Sequence, residues 1–395
     1  MEAKLSEQIP GDTGHGRKPH ICFVSESTAT YSLLVGEASG VTGGAELQQT
    51  LIASALQNLG YRVTFLVPDF GQPNRVVTGQ GIALIKTRPE SAARPGPSRF
   101  LGDIVRLFRA MNQAGADIYY QRTSAAVTGI TALFCKLKKK PFVFSVASNM
   151  DLDGSARLYR GRVSYALYRY GLKHATAVVV QTNDQLRLLK EATGRDGVLI
   201  RSMLATADEA REQVNPRYVL WVGGFWRLKR PEMFAELARR LPEYEFVMVG
   251  GPSVDGEQLF EEIVARARDL PNLRLTGPIP YKETARYLDE TKVLVNTSHA
   301  EGFPNTYLQA WIRGMPVVAT FDPDSLITKR QLGRYCSGIE ELALATKELM
   351  GDESLRASIR ERAIQYVRQH HSIESVAAMY DELLTGLYAK WRNMP

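Results

Sequence analysis

From about residue 19 onward, short β-branched apolar runs alternate with longer stretches in which apolar residues recur every three or four positions. Runs of the first kind, bounded by turn-forming residues, read as buried strands, and stretches of the second kind read as amphipathic helices. In the first half the pattern predicts strands over 21–25, 62–67, 82–86, 117–121, 141–146 and 177–181. Between the first two, Leu47, Leu51, Ala55, Leu56 and Leu59 fall on one face at helical spacing. In the second half strands are predicted over 218–222, 246–249, 273–276, 293–296 and 316–319, and helices over 231–240, 256–269, 282–289 and 305–313. The stretch 339–391 reads as helix with breaks near Gly351 and at His370-His371-Ser372. Such alternation builds parallel sheets with crossover helices. The polar stretch 205–216, ending in Pro216, separates the two sets and reads as a linker. The expected division is a disordered tail over 1–18, a first α/β domain over 19–205, a second over 206–372 and a closing helix over 373–395.

At 395 residues the chain is too long for one ordinary core. Its 44% hydrophobic and 23% charged content is that of a soluble globular protein. No window offers the roughly 18 consecutive apolar residues of a membrane span, and the first 20 residues lack the apolar core of a signal peptide, so a cytoplasmic protein is expected. Cys22, Cys135 and Cys336 have no paired spacing, which points to small core residues rather than to a disulfide framework or a zinc site. The net charge of +7 favours anionic partners, among them nucleotide diphosphates and acidic membrane surfaces. Without a nucleic-acid recognition motif, no nucleic-acid partner is expected.

Two open α/β domains in tandem place a ligand between them, at the carboxyl ends of the strands. The candidate chemistry falls at those ends. After strand 293–296 comes Glu301-Gly302-Phe303-Pro304-Asn305-Thr306 and then a helix carrying Gln309. Gly302 lets a ligand approach the backbone, and the first amides of the helix, those of Asn305 and Thr306, face an anion. After strand 218–222, Gly223-Gly224-Phe225-Trp226-Arg227-Leu228-Lys229 leads to a helix opening at Pro231, a glycine-rich basic turn suited to phosphate. In the first domain Gly43-Gly44-Ala45-Glu46 opens a helix after a long Gly-rich loop beginning near Ser25, a candidate acceptor surface. Arg122 ends one strand, and Ser148-Asn149-Met150-Asp151 follows another. Each has a plainer reading: a solvated basic turn for Lys229, a helix-start carboxylate for Glu301, and a loop cap for Asp151.

The segment around Glu301 resembles the E-x7-E signature of retaining GT-B glycosyltransferases, glycosyltransferase family 4, with Gln309 in place of the second acid. Lys229 matches a family lysine that neutralises the departing diphosphate, while the family arginine position holds Gly224, leaving that role vacant or to Arg227. Gly43-Gly44-Ala45-Glu46 is similar to a segment of many members. The resemblance implies two Rossmann-like doubly wound domains facing across a cleft, with the C-terminal helix crossing back to the first. It implies transfer of a sugar, with retention, from a nucleotide-diphosphate-sugar to a hydroxyl of a carbohydrate or lipid-linked acceptor, in surface polysaccharide or glycolipid synthesis and without a metal. Donor contacts are then expected at Gly44, Gly223, Gly224, Arg227, Lys229, Gly277, Ile279, Glu301, Gly302, Phe303, Pro304, Asn305, Thr306 and Gln309, acceptor contacts at Arg122, Ser148 and Asn149, and chemistry at Glu301, Lys229 and Asp151. A nucleotide-sugar epimerase or hydrolase on the same architecture, and a non-catalytic nucleotide-sugar-binding protein, are the alternatives.

Two features stand apart from that set. Asp151-Leu152-Asp153 and Asp322-Pro323-Asp324 spell the triplet with which glycosyltransferases of another fold hold a metal, yet each sits in a turn where acidic triplets are common. The stretch 157–173 combines four arginines, one lysine and four tyrosines, and reads either as a helix lying on an anionic bilayer, giving a peripheral membrane contact, or as one packing its tyrosines on the sheet.

Overall fold

The computed structural model describes residues 17–394 apart from 26, 37–42, 90–96, 160, 206–207, 209–212 and 254–255. Residues 1–16 of the expected tail, and parts of the Gly-rich loop and of the linker, therefore lie outside the described residues.

The first sheet contains β1 (His20–Val24), β2 (Arg62–Asp69), β3 (Arg75–Val77), β4 (Ala83–Pro89), β5 (Ile118–Arg122), β6 (Phe142–Ser145), β7 (Ala177–Val180) and β8 (Val198–Leu199). Their spatial order is β3-β4-β2-β1-β5-β6-β7-β8. All pairings are parallel except that of β3 with β4. The second sheet holds β9 (Tyr218–Val222), β10 (Phe246–Val249), β11 (Leu273–Leu275), β12 (Thr291–Asn296), β13 (Val317–Ala319) and β14 (Gly333–Tyr335), in the wholly parallel order β11-β10-β9-β12-β13-β14. Strands buried on both faces read as unbroken apolar runs, and β1, β6, β10 and β13 are buried along their whole length.

Three short strands escape the pattern. β3, β8 and β14 are edge strands of two or three residues, too short to show a period. The long loop after β1 contains a helix, Thr28–Val35, closed by Gly36 in the left-handed conformation. That helix is short and mixes Thr, Ser and Tyr with apolar residues around its circumference, so it has no distinct polar face by which to recognise it.

Each sheet is covered on both faces. The closing helix, Ile373–Arg392, leaves the second domain and lies on the first sheet beside the helix Gly44–Asn58. It puts Val376, Tyr380 and Leu384 into a core shared with Phe23, Phe65 and Tyr120, each at most 2% exposed. Burial of large side chains contributes roughly 1.5–3 kcal/mol apiece, so these three anchor the crossing by something on the order of 5 kcal/mol.

Where the chain passes between domains, His371 is wholly buried. Its Nδ1–H donates to Ser202 O at 2.7 Å, Tyr366 Oη lies 3.3 Å from its Nε2, and Leu204 N–H donates to its carbonyl at 2.9 Å. Burial, with a smaller effect from Arg201, pushes His371 down to about 3 against the raising effect of the Ser202 bond. Burial and then the Arg62 guanidinium push His20 down to about 4. Both are thus neutral when folded and take protons near pH 6.5 when unfolded. The stability they lend is complete above about 6.5 and is lost as pH falls through that value, at up to about 1.4 kcal/mol per pH unit for each. Urea unfolding at about pH 7.5, 6 and 4.5 is expected to show a steady decline; a flat profile would mean the two rings are solvated.

Candidate functional site

The carboxyl ends of β9 and β12 lie side by side in the middle of the second sheet, which brings the two basic and acidic turns together. After β9, Gly223 N–H donates to Val249 O at 3.0 Å and Phe225 N–H to Gly251 O at 2.9 Å, so the Gly-Gly turn is stitched to the end of β10. A single 3-10 turn, Arg227–Lys229, follows. It is fixed from below, because Thr297 Oγ donates to Lys229 O at 2.6 Å and His299 N–H to Leu228 O at 2.8 Å. Lys229 Nζ consequently reaches Glu301 Oε1 and pairs with it, and Ser298 Oγ donates to the same oxygen at 2.7 Å. The two side chains keep 27% and 15% of their surface exposed, so the pair borders solvent. Arg227 is exposed beside it. Arg230 is not available to a ligand: its Nε and Nη2 donate to Thr297 O and Thr320 Oγ at 2.7 and 2.6 Å.

Directly after Glu301 the helix Asn305–Ile312 begins, and geometry leaves its first amides, those of Asn305 and Thr306, without partners inside the helix. The cation, the carboxylate and these amides all come from one rim of the second domain. The first domain closes on it. Asn149 N–H donates to Glu301 O at 3.0 Å, Asn305 Nδ2 donates to Gly44 O at 3.0 Å, and Gln48 Nε2 donates to Asn305 Oδ1 at 3.0 Å. At Gly302 the approach is close enough to demand glycine, since a Cβ there would stand 2.0 Å from Ala147 O; a Cβ on Gly44 would stand 2.9 Å from Asn305 Nδ2, a side-chain end that can shift. Gly277, in the left-handed conformation, turns the chain after β11 and leads to Ile279, which packs partly buried against the second core.

Several expected contacts are placed differently. Phe303 and Pro304 are buried, and the Phe303 ring packs on Tyr307, Trp311 and His371, the last with centroids 5.0 Å apart. Phe303 therefore joins the turn to the interdomain hinge and offers a ligand main chain only. Gln309 is 7% exposed, and its amide donates to Asp208 Oδ2 at 3.3 Å and to Tyr281 Oη at 3.1 Å. Asp208 also pairs at 2.9 Å with the buried Arg313, which holds Asp289 at 2.8 Å. Sequence reasoning missed Asp208, which lies in a polar stretch without period. It also missed Ser298, whose only signal is a polar residue at a strand's end.

Asp151, expected at the chemistry, is tied to main chain in the structure. Its carboxylate accepts from the main-chain N–H of Ala147, Ser148 and Ser124 at 2.8, 3.1 and 3.3 Å, and it is 6% exposed. It thereby shapes the loop that carries Ser148 and Asn149. Arg122 is 5% exposed, donates to Ser145 Oγ at 2.9 Å and leaves its Nε without a partner. The other acidic residues of the two triplets are likewise occupied. Asp153 accepts from Ser155 N–H, Asp322 from Ile327 and Thr328, and Asp324 from Asn183 and Asp184 across the domain interface. The stretch 157–173 is two helices, Ala156–Tyr159 and Arg162–His174. Tyr168 is buried in the core, donating to Asp151 O, so this tyrosine is not at a membrane face.

Two parallel-sheet domains that meet at the carboxyl ends of their strands, with the C-terminal helix crossing back, define the GT-B fold of glycosyltransferases. Residues 216–352 match the family model of glycosyl transferases group 1, and residues 43–203 match that of the glycosyl transferase 4-like domain. One match falls in each of the two domains. Among solved structures it is similar to the sucrose-phosphate synthase of Thermosynechococcus elongatus, at 16% identity and a TM-score of 0.78 over 94% of this chain and 100% of that one. It is similar also to Anabaena HepE in complex with UDP and glucose, at 16% identity and a TM-score of 0.71 over 93% and 100% of the two chains. A curated relative, glycosyltransferase 1 domain-containing protein 1 of Xenopus tropicalis, is 28% identical over 175 residues, 43% of this chain; the match spans half the length of that relative.

The scaffolding role of Asp151 is open to a direct check. Removing its carboxylate strands three main-chain donors, so Asp151→Ala is expected to cost about 2–4 kcal/mol in urea unfolding, against less than about 0.5 kcal/mol for the exposed Asp153→Ala. Equal, small losses would return Asp151 to the cleft.

Proposed function

We propose that the chain transfers a sugar from a nucleotide-diphosphate-sugar to an acceptor hydroxyl, with retention at the anomeric carbon, at the turn where Lys229 meets Glu301. The observation that carries this reading is the pairing of a cation from one turn with a carboxylate from the neighbouring turn, four residues ahead of a helix with two open amides, at the domain interface. Lys229 and the amides of Asn305 and Thr306 hold the diphosphate, and Glu301 faces the hydroxyls of the donor sugar. As the anomeric carbon–oxygen bond to phosphate breaks, negative charge grows on the leaving oxygens, and the fixed donors stabilise it more than they stabilise the ground state. The acceptor oxygen attacks from the same face and gives its proton to the departing phosphate, a course that needs no protein nucleophile. The first domain presents the acceptor along Ser148, Asn149 and Arg122, and closure excludes water.

Structural neighbours solved with UDP-glucose and UDP make UDP-sugars the first donors to try. The resemblance to polysaccharide-assembling members favours a carbohydrate or lipid-linked acceptor and a place in surface polysaccharide or glycolipid synthesis, with work at an anionic membrane. A second reading has one observation in its favour. Gln309, spent on Asp208 and Tyr281, leaves no charged acceptor for ribose at that position, as a protein that binds nucleotide-sugar without turning it over would allow.

A thermal-shift panel of nucleotide-sugars separates these readings from an unrelated fold use, because a ligand at a hundred times its Kd stabilises by about 2.7 kcal/mol. With the donor so found, Lys229→Ala and Glu301→Ala are each expected to abolish donor turnover while changing unfolding free energy by less than about 1 kcal/mol. Full turnover in either variant would remove that residue from the site, and donor binding with no turnover by the wild type would select the second reading.

A further inference from the structure

The basic charge of the chain is not spread evenly. At the amino ends of β5 and β6, on the side of the first domain away from the cleft, a cavity of about 1150 Å3 is lined by seven lysines and arginines and by one acid, Asp117. The surplus of six approaches the +7 of the entire chain, so the remainder is close to neutral. Lys136, Lys138, Lys139 and Lys140 come from the end of the helix Ala126–Leu137 and the turn after it, and Lys390 and Arg392 from the end of the closing helix. Asp117 is itself engaged, accepting from His20 N–H at 2.9 Å and lying 3.8 Å from Lys140. Among the described residues the other six cations have no carboxylate within 4 Å.

Helix carboxyl ends attract cations, and two such ends meet here, but that effect is worth a few tenths of a kcal/mol to about 1 kcal/mol and does not call for six uncompensated charges. The surroundings supply a second signal. Lys140 Nζ sits 4.2 Å from the centroid of Trp391, whose indole N–H donates to Lys139 O, so an aromatic ring is fixed among the lysines. Leu133 and Leu137, one turn apart on the same helix, are 41% and 65% exposed, and Met394 beside Trp391 is 67% exposed. Clustered cations around an indole and solvent-facing aliphatic side chains match the chemistry of a bilayer interface, anionic at the headgroups and apolar beneath.

We propose that this pole docks on an anionic phospholipid surface, the lysines and arginines meeting headgroup phosphates while Leu133, Leu137, Trp391 and Met394 enter the acyl boundary. The proposal rests on the part of the functional reading that places the work at a membrane, and it moves the contact from the tyrosine-rich stretch 157–173 to the cavity at 136–140 and 390–394. The cleft, at the other end of the same strands, then faces away from the bilayer and stays open to soluble donor and to a carbohydrate acceptor.

The test is co-sedimentation of the full chain with vesicles of phosphatidylcholine containing about one third phosphatidylglycerol, against pure phosphatidylcholine. Binding is expected only to the anionic vesicles and is expected to weaken as salt rises. Lys138→Gln with Lys139→Gln should lower the partition about 25-fold, at about fivefold for each charge. Trp391→Ala should lower it further, whereas Arg162→Gln with Arg169→Gln should leave it unchanged. Absence of binding by the wild type, equal binding by the lysine pair, loss confined to the Arg162 and Arg169 pair, or displacement by millimolar inorganic phosphate at constant ionic strength would each overturn the proposal. The melting shift with UDP-glucose is read in parallel: its loss in the wild type counts against sugar transfer and not against docking, and its persistence in the lysine pair shows those variants folded.

Discussion

Lys229 and Glu301 meet because two neighbouring strands of one sheet end at the same level and each hands its chain to a turn that the other turn stabilises. Thr297 and His299 tie down the main chain of the lysine turn, and Ser298 holds the carboxylate that the lysine meets. An ion pair bordering solvent adds little stability. Its value is positional, since it sets a movable cation and a fixed carboxylate beside the open amides of one helix. Contacts from the first domain, through Ala147, Asn149 and Gly44, reach the residues 301–305, while Asn183 and Asp184 meet Asp324 elsewhere along the interface.

The same turn links site to hinge. Phe303, within the turn, stacks near His371, and His371 holds both Ser202 and Leu204 where the chain changes domains. Gln181 adds a second path, donating to Val146 O near the turn while accepting from Ser202 Oγ at 2.6 Å. A rotation of one domain against the other cannot leave the His371 contacts to Ser202 and Leu204 unchanged. The turn at Glu301–Pro304 and the crossing of the chain between domains are therefore packed on a common buried group, His371.

Much of this was legible in the sequence. Central parallel strands are buried on both faces and announce themselves as apolar runs, so β1, β9 and β12 stand where the pattern puts them, and the turns that follow them carry the polar residues of the site. Lys229 and Glu301 could be paired only by knowing that their strands are adjacent, which the resemblance supplied and local pattern does not. What stayed hidden has physical reasons. Edge strands such as β3 and β14 are too short for a period, and the helix Thr28–Val35 has no division into a polar and an apolar face. Asp151 shows a carboxylate near a cleft, while its three main-chain donors are a property of folded geometry. Asp208 meets Gln309 across 101 positions, a distance no local pattern spans.

The account's central claim is that a nucleotide diphosphate lodges at the Lys229–Glu301 turn. A crystal structure of the chain with UDP tests it most directly. The account predicts diphosphate density within hydrogen-bond reach of Lys229 Nζ and of the Asn305 and Thr306 amides, with Lys229 turned from Glu301 toward phosphate. Diphosphate bound elsewhere on the molecule, with the Lys229–Glu301 pair intact and the turn unoccupied, would contradict it.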